Sequence, residues 1–574
     1  MIDAADKKSQ LNLKIACILD DFSYECFKYE ADLIPLDIIN WKETLHRESP
    51  NMLFVESAWW GNGGEWAFEV GGMTSSKNKP LRDLVSTCRH LNIPTVFWNK
   101  EDPLFFKHFI NTAKLFDFVF TTDEGCIDRY KLALGHENVF LLLFAAQPKL
   151  HNPIDRYKNR LGKVAFAGTW YKRYRQREEE MEMILEPARK YGLHIYDRMY
   201  SNHIDKNLYE FPIKYKPYIK GRLPYTEMGH AYKSYDVFIN ANLVSNSKTM
   251  FSRRVFELLA CGANIISNYA LSIDAIFPAI VQLCRTQEEV ENHLNLLLNN
   301  KELRDRLSVL GQREIFRYHT YRHRMETILE KIDIKNSKET PGVTVFAYID
   351  QQDSAKRSID NFNRQKYGNK ELILFVNNNA ENAGSWQKKM INGNYSSGNP
   401  KIRIIQTKEP VSLIEGLKYV IAEANCEYLS IFDHSSYYAP EFLGDLMDAF
   451  KYSEANIVGK HTYYACSHEK QAIERVSAGM ENTYVASLCE TAFIAQKDLF
   501  KTVTSENIEI RTIGEFFDEC SRRGEKMYSI DRFNYLRMKN HFINGCLGET
   551  ESNQRIKNGT TMEKLNNCLK DITV

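Results

Sequence analysis

Apolar residues gather along this chain in short runs separated by stretches of helical spacing. Runs at Lys14–Asp20 (KIACILD), Met52–Trp59 (MLFVESAW), Thr95–Trp98 (TVFW), Phe118–Thr121 (FVFT) and Val139–Phe144 (VFLLLF) predict buried strands. Between them, Arg82–Leu91, Leu104–Phe116 and Ile127–Leu134 repeat apolar residues every three or four positions and predict helices. Strands that are almost continuously apolar, alternating with helices, predict a parallel sheet covered on both faces. The Pro- and Asn-rich segment AAQPKLHNPIDRYKNR interrupts the pattern, which then restarts. Strands are expected at Val164–Ala167, His194–Tyr196, Val237–Leu243 and Asn264–Ser267, and helices at Arg177–Tyr191 and Tyr225–Ser234. Helix is expected throughout Gln287–Ile332. After a polar linker at Lys335–Gly342 (KNSKETPG) comes a third alternation. Its strands are Val343–Ile349, Glu371–Val376 and Glu427–Phe432, and its helices Ser354–Gln365 and Val411–Ala424. The expected fold class is α/β: two Rossmann-like domains over 1–155 and 156–334 with a cleft between them, then an α/β domain over 343–574.

At 574 residues the chain exceeds one domain, since a domain takes about 100–200 residues. A hydrophobic fraction of 43% is ample for several cores, and a formal charge of +1 argues against a nucleic-acid partner. No apolar stretch has transmembrane length, and the opening MIDAADKKSQ carries no signal-peptide pattern. The twelve cysteines are scattered singly without a CxxC pair. That usage points to buried free thiols, so a cytoplasmic location is expected.

Candidate chemistry lies where strands end. Ser252–Gly262 (SRRVFELLACG) opens a helix after an apolar strand and sets Arg253 and Arg254 one turn ahead of Glu257. Arginine forks suit phosphate oxygens, and a carboxylate accepts from ribose hydroxyls. The pattern alone equally allows a surface helix with an ordinary Arg253–Glu257 pair. Gly168–Arg177 (GTWYKRYRQR) also joins a strand to a helix. Gly168 would let the backbone approach a ligand, Thr169 is a candidate donor contact, and the basic Lys172, Arg173, Arg175 and Arg177 run against the helix dipole, which suits a docked diphosphate; the alternative is a solvated basic turn. In Glu56–Trp66 (ESAWWGNGGEW), Glu56, Trp60, Gly61 and Gly63 are candidate acceptor contacts, sugars stacking on tryptophan; the alternative is a loop whose tryptophans fill the core. In Asn99–Pro103 (NKEDP), Glu101 is the candidate general base or acceptor-hydroxyl ligand, Lys100 a charge offset, and Asp102 a helix N-cap. His136 and His151 are read as structural.

Together these motifs, with FDFVFTTDEGCIDRY and SNSKTMFSRRVFELLACGANIIS, resemble the group 1-type glycosyltransferases of the spore-maturation CgeB-like family over roughly residues 12–335. The resemblance implies a GT-B fold, with donor held by the second half, acceptor by the first, and Glu257 on the donor ribose. The acidic residue expected about two turns earlier is absent; Lys248 and Thr249 fill that region. The last domain resembles the GT-A family 2 glycosyltransferases through VTVFAYIDQQDSAKRSIDNFNRQKYGNKELILFVNN and EYLSIFDHSSYYAPEFLGDLMDAF. Its functional positions have drifted. Asp433-His434-Ser435 replaces D-x-D, Glu515-Phe516 replaces E-D, and Asn377-Asn378-Asn379 replaces the nucleotide-facing acids. Without the second carboxylate a hard metal loses an oxygen ligand, which favours a binding or scaffold module. The expected function is a cytoplasmic, metal-independent glycosyltransferase with no cofactor. It would move a sugar from a nucleotide-sugar donor, expected to be a UDP-sugar, to a surface, spore or teichoic-acid-type glycan, with peripheral membrane contact left open. The alternative is a non-catalytic glycan-binding or assembly protein.

Overall fold

Strands buried on both faces must be joined by crossover helices, and the front of the chain follows that rule throughout. The computed structural model describes residues 10–72, 78–172, 175–201, 206–335, 340–349, 352–377, 401–407, 409–467, 472–505, 510–538 and 569–574. Residues 336–339 of the linker at 335–342 fall outside them. The chain forms two units, Met1–Ser337 and Lys338–Val574.

The first unit holds two six-stranded sheets. One comprises β1 (Lys14–Ile18), β2 (Asp32–Pro35), β3 (Met52–Glu56), β4 (Thr95–Asn99), β5 (Phe118–Thr121) and β6 (Val139–Leu141), all parallel in the order β2-β1-β3-β4-β5-β6. The other comprises β7 (Gly162–Gly168), β8 (Leu193–Asp197), β9 (Ile219–Gly221), β10 (Tyr235–Asn240), β11 (Asn264–Asn268) and β12 (Gln282–Cys284). It is parallel in the order β12-β11-β10-β7-β8-β9. Strand order reverses between β1 and β3 and between β7 and β10. Such reversals open a crevice at the strands' carboxyl ends. Ile18, Val55, Phe97 and Val119 pack under the helices of the first sheet, and in the second Phe166 and Ile239 share a core with the helix residues Leu185 and Leu294.

The expected continuous helix over Gln287–Ile332 is three helices, Gln287–Asn299, Lys301–Tyr318 and Tyr321–Lys331. Asn300 leaves the helical region and accepts from the Leu303 N–H at 3.0 Å, and Thr320 with His323 forms a capping box. The second break turns the chain back onto the first sheet. There the Ala146 N–H donates to the His319 carbonyl and the Tyr321 N–H donates to the Ala146 carbonyl, and Arg324 donates to the carbonyls of Leu143 and Phe144.

The described residues of the second unit form a mixed eight-stranded sheet and a separate four-stranded one. β13 (Val343–Ile349), β14 (Lys370–Val376), β15 (Ile402–Gln406) and β16 (Tyr428–Ile431) pair in parallel, and an antiparallel strand, Phe493–Gln496, lies against β16. Phe346, Phe375, Leu429 and Phe517 fill its core.

His151 is 2% exposed and its Nδ1 accepts from the Gln147 N–H. Burial, outweighing the pull of Glu257, pushes its pKa from 6.5 down to about 4. The unfolded chain therefore binds a proton between those values that the native state refuses, and stability falls as pH drops from about 6.5 to 4. At about 1.4 kcal/mol per unit, His151 alone accounts for roughly 3 kcal/mol of that loss. Urea unfolding against pH should show this limb, and H151Q should flatten it; an unchanged limb in H151Q refutes the assignment.

Candidate active site

At the reversal point of the first sheet, three adjacent strands end in charged residues. Glu56 closes β3 with its carboxylate fully buried. It accepts from the Asp20 N–H at 2.5 Å, the Ser23 hydroxyl at 2.6 Å and Lys100 Nζ at 2.9 Å. Lys100, following β4, also donates to Asp20 Oδ2 at 2.6 Å. Its side chain is 2% exposed, whereas that of Asp20 is 27% exposed. Burial pulls the ammonium down, but Glu56 and Asp20 outweigh it and hold Lys100 above its ordinary range. The expected acceptor contact through Glu56 is thus corrected: the carboxylate is enclosed and positions its neighbours.

Glu101 is half-buried at the same edge. Burial raises its carboxyl above the usual range, Lys100 opposes that, and Asp20 adds to it. Asp102 is not a helix cap. The next helix starts at Phe106, and Asp102 is buried, accepting from Asn99 Nδ2 at 2.8 Å and the Thr121 hydroxyl at 2.7 Å. Of the three tryptophans, Trp66 is buried and donates to the Leu36 carbonyl, and Trp59 packs edge-on against Phe105 and Phe109. Only Trp60 stands out, 61% exposed with its ring 5.1 Å from that of Phe68. A Cβ at Gly61 would meet Ile18 Cγ2 at 2.7 Å, and Gly63 takes φ +70°. Both glycines shape the turn that presents Trp60.

The second sheet presents cations at its own reversal point. Gly168 ends β7 under the ring of Phe166, where a Cβ would clash at 2.5 Å. The Thr169 hydroxyl is buried without a hydrogen-bond partner. Arg173 lies outside the described residues. Arg175 is exposed and paired with Glu179, whereas Arg177 is buried, donates to the carbonyls of Ala241 and Asn242, and is pushed by burial to about 10. Arg198, after β8, donates its N–H to the Gly168 carbonyl at 3.1 Å.

The helix Arg254–Ala260 is almost wholly buried, so the surface alternative is corrected, although the Arg253–Glu257 pair does form. Glu257 is 1% exposed and also accepts from the hydroxyls of Tyr232 at 2.8 Å and Tyr225 at 3.3 Å. Burial opposes its ionisation, but Arg253 outweighs this and holds the carboxyl below its ordinary range. Enclosed in this way, Glu257 holds Arg253 and offers no exposed oxygen to a ribose. Arg254 differs. Among the described residues no hydrogen bond or ion pair reaches its half-buried guanidinium, and burial, with Arg253 and Arg198 nearby, pulls its pKa down.

The two edges meet at Phe22. Lys100 Nζ and Arg253 Cζ each lie 4.1 Å from its ring centroid, which is cation–π range. The Ser247 hydroxyl also donates to Asp123 Oδ1 and the Thr249 hydroxyl to the Thr122 carbonyl, clasping the sheets together. Sequence reading missed Asp20, Phe22, Arg198 and Tyr225. Only Asp20, the last residue of an apolar run, carried a positional signal.

In the second unit, Asp433 follows β16 and is closed within its own turn. It accepts from the Ser435 N–H at 3.0 Å and from the hydroxyls of Ser435 and Ser436. Ser435, at the position of the lost second acid, donates to the carboxylate that remains. Glu515 accepts from the Arg511 N–H at a helix start, and Asn377 bonds Tyr348 and Val411. Asn378 and Asn379 lie outside the described residues. The donor set does not fit the divalent metal of a family 2 site, and no cluster of three metal-ligating residues occurs among the described residues.

Residues 175–330 match the model of a family described as glycosyl transferase-like, and residues 343–504 match glycosyl transferase family 2. Two successive stretches of the chain are thus similar to glycosyltransferase families. No curated protein matches it. Three solved structures are similar at 10% identity. They are S. aureus TarS 1–349 with UDP-GlcNAc (TM-score 0.28, 35% of this chain and 59% of that one), the mannosyltransferase PcManGT of Pyrobaculum calidifontis with GDP-Man and Mn2+ (0.27, 38% and 63%), and GalNAc-T7 with UDP, GalNAc and Mn2+ (0.29, 35% and 45%). The chain thus spans 59% of the length of the first of these. Among the described residues no helix is long and apolar enough to cross a membrane.

Removing one member of a buried ion pair leaves the other charge uncompensated, at a cost of about 3–5 kcal/mol. K100M should lower the free energy of the unfolding transition in urea by that amount. A loss below about 1 kcal/mol would show that the network does not hold the edge together.

Proposed function

We propose that the first unit is a CgeB-like GT-B transferase. It moves a sugar from a UDP-linked donor to a hydroxyl on a surface, spore or teichoic-acid-type glycan, in the cytoplasm and without a metal. The observation that carries this reading is the unpaired Arg254 guanidinium, on the same crevice edge as Arg198 and the unsatisfied Thr169 hydroxyl. A half-buried cation crowded by two others gains from an anion, and the departing diphosphate supplies charge that grows in the transition state. Arg253, fixed by Glu257, supports that charge from one turn away. Trp60 offers the acceptor a stacking face, with Glu101 facing it from the end of β4. The second unit is a binding or scaffold module, supported by the way hydroxyls saturate Asp433.

Calorimetric titration of the full chain with UDP should give saturable binding that weakens about tenfold to hundredfold in R254A, the equivalent of a charge-assisted hydrogen bond of roughly 1.5–3 kcal/mol. Affinity within twofold of wild type would remove this site. Release of UDP from sugar nucleotides should continue in EDTA. Manganese-dependent turnover abolished by D433A would transfer the activity to the second unit.

A further inference from the structure

The end of β1 carries a carboxylate that the first unit's network singles out. Asp20 shares the Lys100 ammonium with Glu56, yet the two acids are placed differently. Glu56 is sealed with three donors on it, whereas Asp20 keeps 27% of its side chain exposed. Among the described residues, Asp20 Oδ1 accepts no hydrogen bond, while Oδ2 is tied to Lys100 at 2.6 Å. One oxygen is thus anchored and the other is open. Lys100 stands 4.1 Å from the Phe22 ring that also meets Arg253, so the open oxygen lies where the acceptor and donor edges come together. Glu101 is its neighbour, and burial together with Asp20 favours that group's protonated form. Glu101 and Asp20 thus stand in different surroundings, and neighbouring acids so placed take different roles.

We propose that Asp20 is the general base of the transfer, with Lys100 and Glu56 as positioning residues and Glu101 as a hydrogen-bond donor to the acceptor. This rests on the nucleotide-sugar reading of the crevice. Asp20 Oδ1 takes the proton of the acceptor hydroxyl as the acceptor oxygen forms its bond to the anomeric carbon. The bond from that carbon to the diphosphate oxygen breaks, and its electron pair leaves with the diphosphate toward Arg254 and Arg198. A single displacement of this kind inverts the anomeric centre. Water entering in place of the acceptor is activated in the same way, so donor hydrolysis reports on the base.

The experiment measures UDP release from UDP-glucose and UDP-N-acetylglucosamine by the full chain, beside calorimetric UDP affinity. D20N should lose at least a hundredfold in UDP release, within the range for a general base, while UDP affinity stays within twofold. E101Q, which keeps a donor, should retain turnover within tenfold. NMR of the first-formed sugar should show the β anomer from these α-linked donors. Turnover in D20N within threefold of wild type, or an α product, overturns the assignment while UDP binding and its loss in R254A leave the crevice reading standing. A wild-type chain that neither binds UDP nor releases it overturns both.

Discussion

A fully buried ammonium is tolerable only where anions and hydrogen bonds surround it, and Lys100 is the point on which the first unit turns. Its 2%-exposed side chain would cost several kcal/mol if unpaired. The fold meets that cost with Glu56 and Asp20, and Glu56 in turn draws in the Ser23 hydroxyl and the Asp20 N–H. One electrostatic requirement therefore fixes the ends of β1, β3 and β4 against each other where strand order reverses. It also orients Glu101, the next residue in the chain, and leaves Asp20 half in and half out of the crevice.

The same ammonium reaches the other sheet through Phe22. Both cations lie over this one ring, so the ends of β1 and β4 and the arginine-bearing helix meet through an aromatic group. Such contacts are worth about 0.5–2 kcal/mol each. Arg253 sits over Phe22 because Glu257 holds it there, and Glu257 stays ionised in a buried place because Arg253 and Tyr232 compensate it. Among the described residues Arg254, one residue on, has no hydrogen bond or ion pair of that kind, and burial pulls its pKa down although Tyr232 and Glu257 oppose the shift. Neighbours in sequence thus divide into a structural cation and an open one.

Much of the architecture was legible because parallel strands buried on both faces are written as unbroken apolar runs. Phe118–Thr121 and Ile127–Leu134 coincide with their elements to the residue. The helix Asp21–Phe27 was not legible, since DFSYECF is short and lacks a clear apolar stripe. The antiparallel strands beyond residue 432 are short and of mixed polarity. At the site, the Arg253–Glu257 spacing predicted the pair but not its burial, which depends on Tyr225 and Tyr232 one helix earlier. The role of Asp20 depends on Lys100, eighty positions later, and no local pattern announces a partner at that distance. Asp102 before Pro103 reads locally as a cap; tertiary hydrogen bonds from Asn99 and Thr121 claim it instead.

The two units close their charged loops in opposite ways. In the second, the hydroxyls of Ser435 and Ser436 donate to Asp433, so the carboxylate that a metal would need is satisfied by its own turn. Such a loop is complete without a ligand, and binding a cation there would first break hydrogen bonds already made. In the first, burial lowers the affinity of Arg254 for its proton, and Tyr232 and Glu257 restore it only in part. The Thr169 hydroxyl is likewise left without a partner. Buried polar groups in that condition destabilise the fold unless something from outside completes them. On the proposed function the contrast follows from the ligand: a diphosphate in the first crevice supplies the counter-charge that the half-buried Arg254 receives only in part from Glu257.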